Sequence, residues 1–323
     1  MQQWNLSVQR ELPGSISFDI VYVGNKGTKL TELVFFNIPL PGPSATIQAR
    51  RPFPSWGTAL SLNSFVKSNY HALQTKAQKR FAAGLSFLAS YTWAKSIDLS
   101  SERGNGDRGG GFEGGNPRDL IGYFRARSGF DIRHRFVVSY VYELPFGKGR
   151  ALLNNAPALA DRIIGGWEVS GITQYQTGFP FTVLMSGDQH GDGLGGDRPD
   201  LIGKPQINPG NPNCCIVDAR NPACGSSAAS AFAAVPANDL RFGSAGRNIL
   251  SGPGFKSWDI SLAKNNKLSE RFNLVFRAEF FNAFNNVNFG TPARNFNITA
   301  PLFGTINSAG RPREVQFGLK LEF

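Results

Sequence analysis

The chain is short of the residues that build helices and reactive centres. Met occurs 2 times and His 3 times in 323 residues, against Gly 37, Pro 20 and Phe 27. That balance favours strands and turns over helices. No stretch approaches the roughly 18 consecutive apolar residues of a membrane helix, so a helical membrane protein is excluded. A transmembrane barrel is not, because its strands alternate apolar and polar residues and average to a soluble-looking hydropathy. Here 41% hydrophobic residues give a mean hydropathy of −0.22. His71, His134 and His190 are scattered over three segments with no Ser, Cys or carboxylate pair standing out beside them. The sequence gives no case for an enzyme.

Cysteine is equally sparse. Cys214, Cys215 and Cys224 are the 3 present, all in one Pro/Gly/Asn-rich segment. A disulfide from one of the adjacent pair to Cys224, with one thiol left over, is the favoured reading and implies an oxidising compartment. Zinc is disfavoured, since no second CxxC or nearby His completes a set of four ligands. The start, "MQQWNLSVQRELPG", has no charged segment, apolar core and small-residue cleavage site of an export signal. The expectation is either a cytosolic chain or one whose export signal lies upstream.

What is present is period-two alternation. Trp4, Leu6 and Val8 alternate, "LPGS" turns the chain, and Ile16, Phe18, Ile20 and Tyr22 alternate again. The same pattern recurs at Leu85, Phe87, Ala89, Tyr91 and Trp93, then at Phe136, Val138, Tyr140 and Tyr142. It returns at Trp167, Val169, Thr173 and Tyr175, at Trp258, Ile260 and Leu262, and at Phe272, Leu274, Phe276, Ala278 and Phe280. The last strand carries Val315, Phe317, Leu319, Leu321 and Phe323. About nine antiparallel strands are expected over residues 1–323, with "TELVFFNI" a possible further one.

Their connections alternate between tight and long. Turns near Gly14, Ala83, Lys148 and Asn266 share one end; long Gly-rich stretches near Asp107, Asp192, Cys214 and Asn288 share the other. A soluble sandwich has no reason to segregate loop length this way, whereas an outer-membrane barrel puts short turns at the periplasm and long loops outside. The predicted fold is therefore all-β, an antiparallel transmembrane β-barrel. Open edges in hydrocarbon would cost several kcal/mol per unpaired backbone group, so about nine strands are expected to be part of a larger barrel.

Blocks such as "FDIRHRFVVSYVYELPFGKGR", "GGWEVSGITQYQTGFPFTV", "SWDISLAKNNKLSERFNLVFRAEFFNAFNNVNFG" and the closing "FGLKLEF" resemble the C-terminal barrel region of TonB-dependent outer-membrane receptors of the Oar-like type. The resemblance runs from about residue 69 to residue 323 and weakens across the cysteine segment. It implies a barrel of about 22 strands around a plug, uptake of a bulky nutrient, and energy coupling through TonB. Neither plug nor N-terminal domain is found in these residues, so TonB is expected to act only through a segment outside them. The alternative is an outer-membrane binding or adhesion barrel without active transport. By the same resemblance Phe317, Leu319, Leu321 and Phe323 are an address for the barrel-assembly machinery as well as a lipid-facing wall.

Two stretches invite chemistry. In "DQHGDGLGGDRPD", Asp188, His190 and Asp192 before Gly193 echo a calcium-loop opening, and Asp197 and Asp200 could add oxygens. His in place of an oxygen ligand and Pro199 in place of the bidentate Glu favour a solvated substrate-side loop, with calcium at Asp188, Asp192 and Asp197 the alternative. The net charge of +11 would usually point to nucleic acid. In a barrel the phosphates of lipopolysaccharide and other outer-membrane lipid are nearer partners for the Arg clusters. Arg133 and Arg135, opposite in parity to Phe136 and Val138, are expected in a polar lumen facing acids such as Glu143 or Glu168. Arg125 and Arg127 are expected at the surface.

Overall fold

The computed structural model describes residues 1–101, 119–236, 238–296 and 302–323. Nine long strands form one antiparallel sheet in which each pairs with its sequence neighbour. They are β1 (Gln2–Leu12), β2 (Ile16–Phe36), β3 (Ala59–Ala82), β4 (Leu85–Asp98), β5 (His134–Glu143), β6 (Trp167–Gln176), β7 (Phe255–Lys267), β8 (Asn273–Phe281) and β9 (Glu314–Glu322). No helix among the described residues is long and apolar enough to cross a membrane, which says nothing about strands.

Register carries the alternation from strand to strand. Leu6 pairs with Tyr22, Tyr22 with Leu73, and Leu73 with Trp93. Tyr91 pairs with Phe136, Phe136 with Tyr175, Leu262 with Val169, Ala278 with Leu262, and Phe317 with Ala278. A one-residue slip anywhere would invert all that follows. The shifts that do occur lie at the ends of the shared span, between Gly27 and Thr31 and between Lys79 and Ala82, so through that span one face is apolar across all nine strands and the other carries Ser7, Gln74, Ser90, Ser139, Ser170, Ser261 and Gln316.

Two hairpins owe their sharpness to left-handed backbone. Gly14 and Ser15 have φ of 86° and 60°, and Ala83 and Gly84 have 53° and 79°. Successive positive φ values match the right-handed twist of the flanking strands. These turns, residues 144–166 and residues 268–272 lie at one end of the sheet. The described residues of 37–58, 99–133, 177–254 and 282–313 lie at the other.

"TELVFFNI" is not a separate strand. The ladder between β2 and β3 shifts register between Gly27 and Leu30, where Lys29 has φ 55°, then continues to Phe36 paired with Ala59. An irregularity absorbs the slip, and the hairpin grows past the rest of the sheet. β2 and β3 span 21 and 24 residues, well beyond the roughly 9–11 that cross a bilayer. Their far halves rise into the long-loop end. There Val34, Val66, Leu99 and Phe124 form one small core. Phe181, Val183, Met185, Ile216, Phe232, Leu250 and Phe303 belong to a second. The packed interior of the molecule thus lies among its loops, not within its sheet.

Candidate functional site

The four long connections are tied into one body by buried polar side chains. Arg247, 4% exposed, belongs to the 177–254 connection and reaches into the 99–133 connection. Its guanidinium pairs with the Asp98 carboxylate and donates to Phe124 O at 2.9 Å and Asp98 O at 3.0 Å. The neighbouring Asn248 accepts on its backbone O from Arg127 Nη2 at 2.8 Å and donates Nδ2–H back to Arg127 O at 2.8 Å. Arg198 stacks its guanidinium 3.4 Å from the centre of the Tyr123 ring and donates to Tyr123 O at 2.9 Å. Burial lowers the Arg198 pKa, partly offset by Tyr123.

Residues 37–58 join the same body. Gly42 N–H donates to His190 O at 2.8 Å and Arg50 donates to Gly191 O. Asn37, 4% exposed with φ 62°, donates Nδ2–H to Trp56 O at 3.1 Å and Gly57 O at 2.9 Å, and accepts from Phe53 N at 2.7 Å. That cradle presents the Phe53 and Trp56 rings, 5.7 Å apart, to solvent. The 282–313 connection is attached through Cys215 N to Gly304 O at 2.9 Å and Ile306 N to Pro212 O at 2.6 Å.

Asp188, His190, Asp192 and Asp197 come together. Asp188 accepts from the backbone N–H groups of Asp192 at 3.1 Å and Gly193 at 2.8 Å. Asp197 Oδ2 accepts from Gln189 N at 2.6 Å and His190 N at 3.1 Å. His190 Nδ1 lies 2.6 Å from Asp197 Oδ1, both side chains almost fully buried. The contact is close but off hydrogen-bond alignment. Asp192, also buried, accepts from Leu194 N at 2.9 Å. Burial pushes its pKa up to about 6.

The carboxylates therefore mostly cap their own backbone. Among the described residues no group of three His, Cys, Asp or Glu is placed to hold a metal ion. Nor is this a solvated loop: His190, Asp192 and Asp197 are buried. Asp200 stands apart, paired with Arg241 Nη2 at 2.6 Å, and that hydrogen bond holds its carboxyl below the usual carboxylate range.

Cys214 and Cys224 form a disulfide and Cys215 is free and buried. Burial pushes the Cys215 thiol up to about 11. Arg135 lies on the polar face, lining a shallow recess with Tyr70, Gln74 and Asp131. The acids expected opposite Arg133 and Arg135 are out of reach, because Arg135 faces Gln176 at one end of the β5–β6 ladder while Glu143 faces Glu168 at the other, where Glu143 pairs with Arg150 at 2.7 Å. Neither Arg133 nor Arg135 makes an ion pair among the described residues. Arg127 is no surface residue either: it is half-buried beneath Asn248, Leu250 and Ser251. The stretch near Asp107 falls outside the described residues. The sequence reading passed over Asp98, Arg247, Asn248, Arg198 and Tyr123, which carry buried polar contacts between connections.

A model of an outer membrane beta barrel domain matches residues 1–316. The chain belongs to that family. No curated protein matches it. Among solved structures it is similar to the outer membrane transporter YddB from Escherichia coli, at 10% identity and a TM-score of 0.48, covering 99% of this chain and 32% of that one. It is also similar to the unliganded ferric citrate transporter FecA, at 12% identity and a TM-score of 0.41, covering 99% and 30%. A third is the ferripyoverdine receptor of Pseudomonas aeruginosa, at 12% and 0.41, covering 99% and 27%. The chain thus spans about a third or less of those chains.

As an outer-membrane barrel domain, the protein has its two sheet faces explained. Leu6 and Val8 are 68% and 63% exposed, and Phe317 and Leu319 are 68% and 70% exposed. In an outer-membrane barrel an apolar face of that extent is the one that meets lipid. The opposite face carries an open concavity of about 500 Å³ whose polar lining includes Gln78, Ser86, Ser139, Ser170, Asp259 and Glu279. Leu88, Val141, Ile172 and Phe281 line it as well, so the wall mixes hydroxyls, amides and carboxylates with apolar side chains.

Proposed function

We propose that this chain is the wall and outer cap of a TonB-dependent transporter for a bulky nutrient. The observation that carries the reading is an open sheet. Eight strands suffice to close a small barrel, yet among the described residues no pairing joins β1 to β9. A nine-stranded sheet that leaves both edges unpaired has the geometry of a segment of a wider ring, and a wide ring is what a plugged transporter needs. Further strands complete the ring, since open backbone edges are not tolerated in hydrocarbon.

In this reading the short turns face the periplasm and the long connections face outward. The concavity lies against the plug, and the knitted cap meets the substrate first. Partners are outer-membrane lipid and lipopolysaccharide, the barrel-assembly machinery reading Phe317, Leu319, Leu321 and Phe323, and TonB through the plug. Nucleic acid is not among them. The Phe53–Trp56 platform supports a second reading, a surface-binding barrel without transport, because flat exposed aromatic rings suit a polymer surface.

Cysteine crosslinking in the intact protein separates the two. Ser170→Cys, on the polar face, is expected to crosslink to another segment of the same polypeptide, and TonB is expected to co-purify with it. Val169→Cys, on the lipid face, is expected to form no such crosslink while still retaining TonB. If Ser170→Cys meets only bulk solvent and TonB is not retained, the transport reading fails.

A further inference from the structure

The connection over residues 144–166 differs from the other three at its end of the sheet. It is far longer, contains the helix Ala158–Ile164, and carries unexpected apolar exposure. Leu152 and Leu153 are 50% and 59% exposed, and Leu159 and Ile163 are 77% and 70% exposed. A turn merely returning the chain through water has no reason to present four such side chains.

Two side chains of the lipid face fix where the helix lies. Trp167 pairs with Lys264 across β6 and β7, in the row parity of Val169 and Leu262. Trp167 Nε1–H donates to Ile163 O at 2.9 Å. Lys264 Nζ donates to Gly165 O at 2.6 Å and sits 5.0 Å from the centre of the Trp167 ring. The end of the helix is therefore held on the lipid side of the wall, not over the lumen. The fold of the connection is set from within: Asp161 on the helix accepts from Lys148 N at 2.6 Å and Asn154 from Gly149 N at 2.6 Å. Lys148 and Arg162 make no ion pair among the described residues.

We propose that residues 144–166 are an interfacial anchor, seating Leu152, Leu153, Leu159 and Ile163 at the headgroup boundary of the leaflet beside the short turns and offering Lys148 and Arg162 to anionic phospholipid. Two observations select lipid as the occupant. The helix that carries Leu159 and Ile163 is held by Trp167 and Lys264 of the lipid-facing row, and the unpaired cations complement phosphate. Indole at the edge of such a row is at home between water and acyl chain, and short basic segments with exposed apolar residues lie in that same layer. The inference rests on the lipid-facing assignment of the sheet but not on which leaflet the turns meet, nor on transport.

The test places an environment-sensitive fluorophore at Leu159→Cys, and separately at Ser269→Cys in the polar turn of the same end, in the intact protein. The protein is reconstituted in vesicles of phosphatidylcholine with or without phosphatidylglycerol. Buried Cys215 and the disulfide leave the introduced thiol as the labelling site. The probe at 159 is expected to emit at shorter wavelength than that at 269 and to be quenched several-fold more by lipids brominated near the headgroup. Adding Lys148→Gln and Arg162→Gln is expected to remove the preference for phosphatidylglycerol while leaving heat-modifiable mobility unchanged. Equal exposure of both probes to aqueous iodide would overturn the anchor and point to a soluble protein partner instead. Indifference to phosphatidylglycerol in the unsubstituted protein would overturn the assignment of the cations.

Discussion

Replacing Arg247 by Ala should loosen the cap and leave the barrel wall intact. The guanidinium is almost completely buried, and it pairs with an Asp98 side chain that is 3% exposed. Removing one partner of a buried ion pair costs about 3–5 kcal/mol, because the other charge is stranded away from water. The same change frees the carbonyls of Phe124 and Asp98 that the guanidinium serves. The loss falls on the contact between the 99–133 and 177–254 connections, since β4, β5 and β6 keep their ladders. At tenfold per 1.4 kcal/mol, amide exchange in residues 120–128 and 245–251 should accelerate by roughly two to three and a half orders of magnitude. Amides of β5 and β6 should hold their protection. Hydrogen exchange with mass spectrometry reads both regions in one experiment. The paired change Asp98→Asn with Arg247→Leu leaves no stranded charge and should recover most of the loss. An Arg247→Ala cap that exchanges within threefold of the parent, or a double variant as loose as the single one, would refute this reasoning.

Asp192, buried and with its pKa raised to about 6, holds its proton more tightly in the folded loop than in the unfolded chain. The folded state therefore binds more protons between the usual carboxylate range and about pH 6. Cap stability from this group falls as pH rises through that window, by at most about 3 kcal/mol, and is flat above it; Asp192→Asn should abolish that slope in cap exchange. Cys215 should resist iodoacetamide in the folded protein at pH 8, because its thiol is buried and pushed up to about 11, and should accept one label per chain once the protein is denatured. Reducing the Cys214–Cys224 bridge should cost about 3 kcal/mol of local stability for a closed loop of this size, read as faster exchange across residues 206–225. Phe323→Ser in the intact protein should lower the folded, heat-modifiable fraction in the outer membrane with synthesis unchanged; equal folded amounts would remove the assembly role of the closing strand.

The strands were legible because a half-buried strand writes its faces into every second residue. Trp4 to Val8, Leu85 to Trp93 and Val315 to Leu321 alternate, and each lies in a ladder that conserves that parity. The "AAG" turn was legible for a related reason, since two positive φ values suit Gly84 after a small residue. The extension of β2 and β3 was not, because the register shift at Gly27–Leu30 breaks the period that would have announced it.

The cap was legible only in part. That Asp188, His190, Asp192 and Asp197 would neighbour one another follows from their spacing, but whether a carboxylate meets a cation, a metal ion or its own backbone N–H depends on the turns between them. Arg247 and Asp98 are 149 residues apart, and no local pattern marks a long-range pair. Arg127 read as surface for the same reason: its acceptors, Asn248 and Leu250, arrive from the far side of the molecule.

The central claim is that the four long connections form one cap outside the cell and the tight turns lie within. Gly225 has φ 84° and open space around it, and residues 268–272 close the turn between β7 and β8, so both positions accept an insertion without disturbing a ladder. An epitope inserted after Gly225 in the intact protein should bind antibody on whole cells, and one inserted after Glu270 should bind only after the outer membrane is permeabilised. Antibody binding at Glu270 on unbroken cells, with Gly225 silent, would contradict the account.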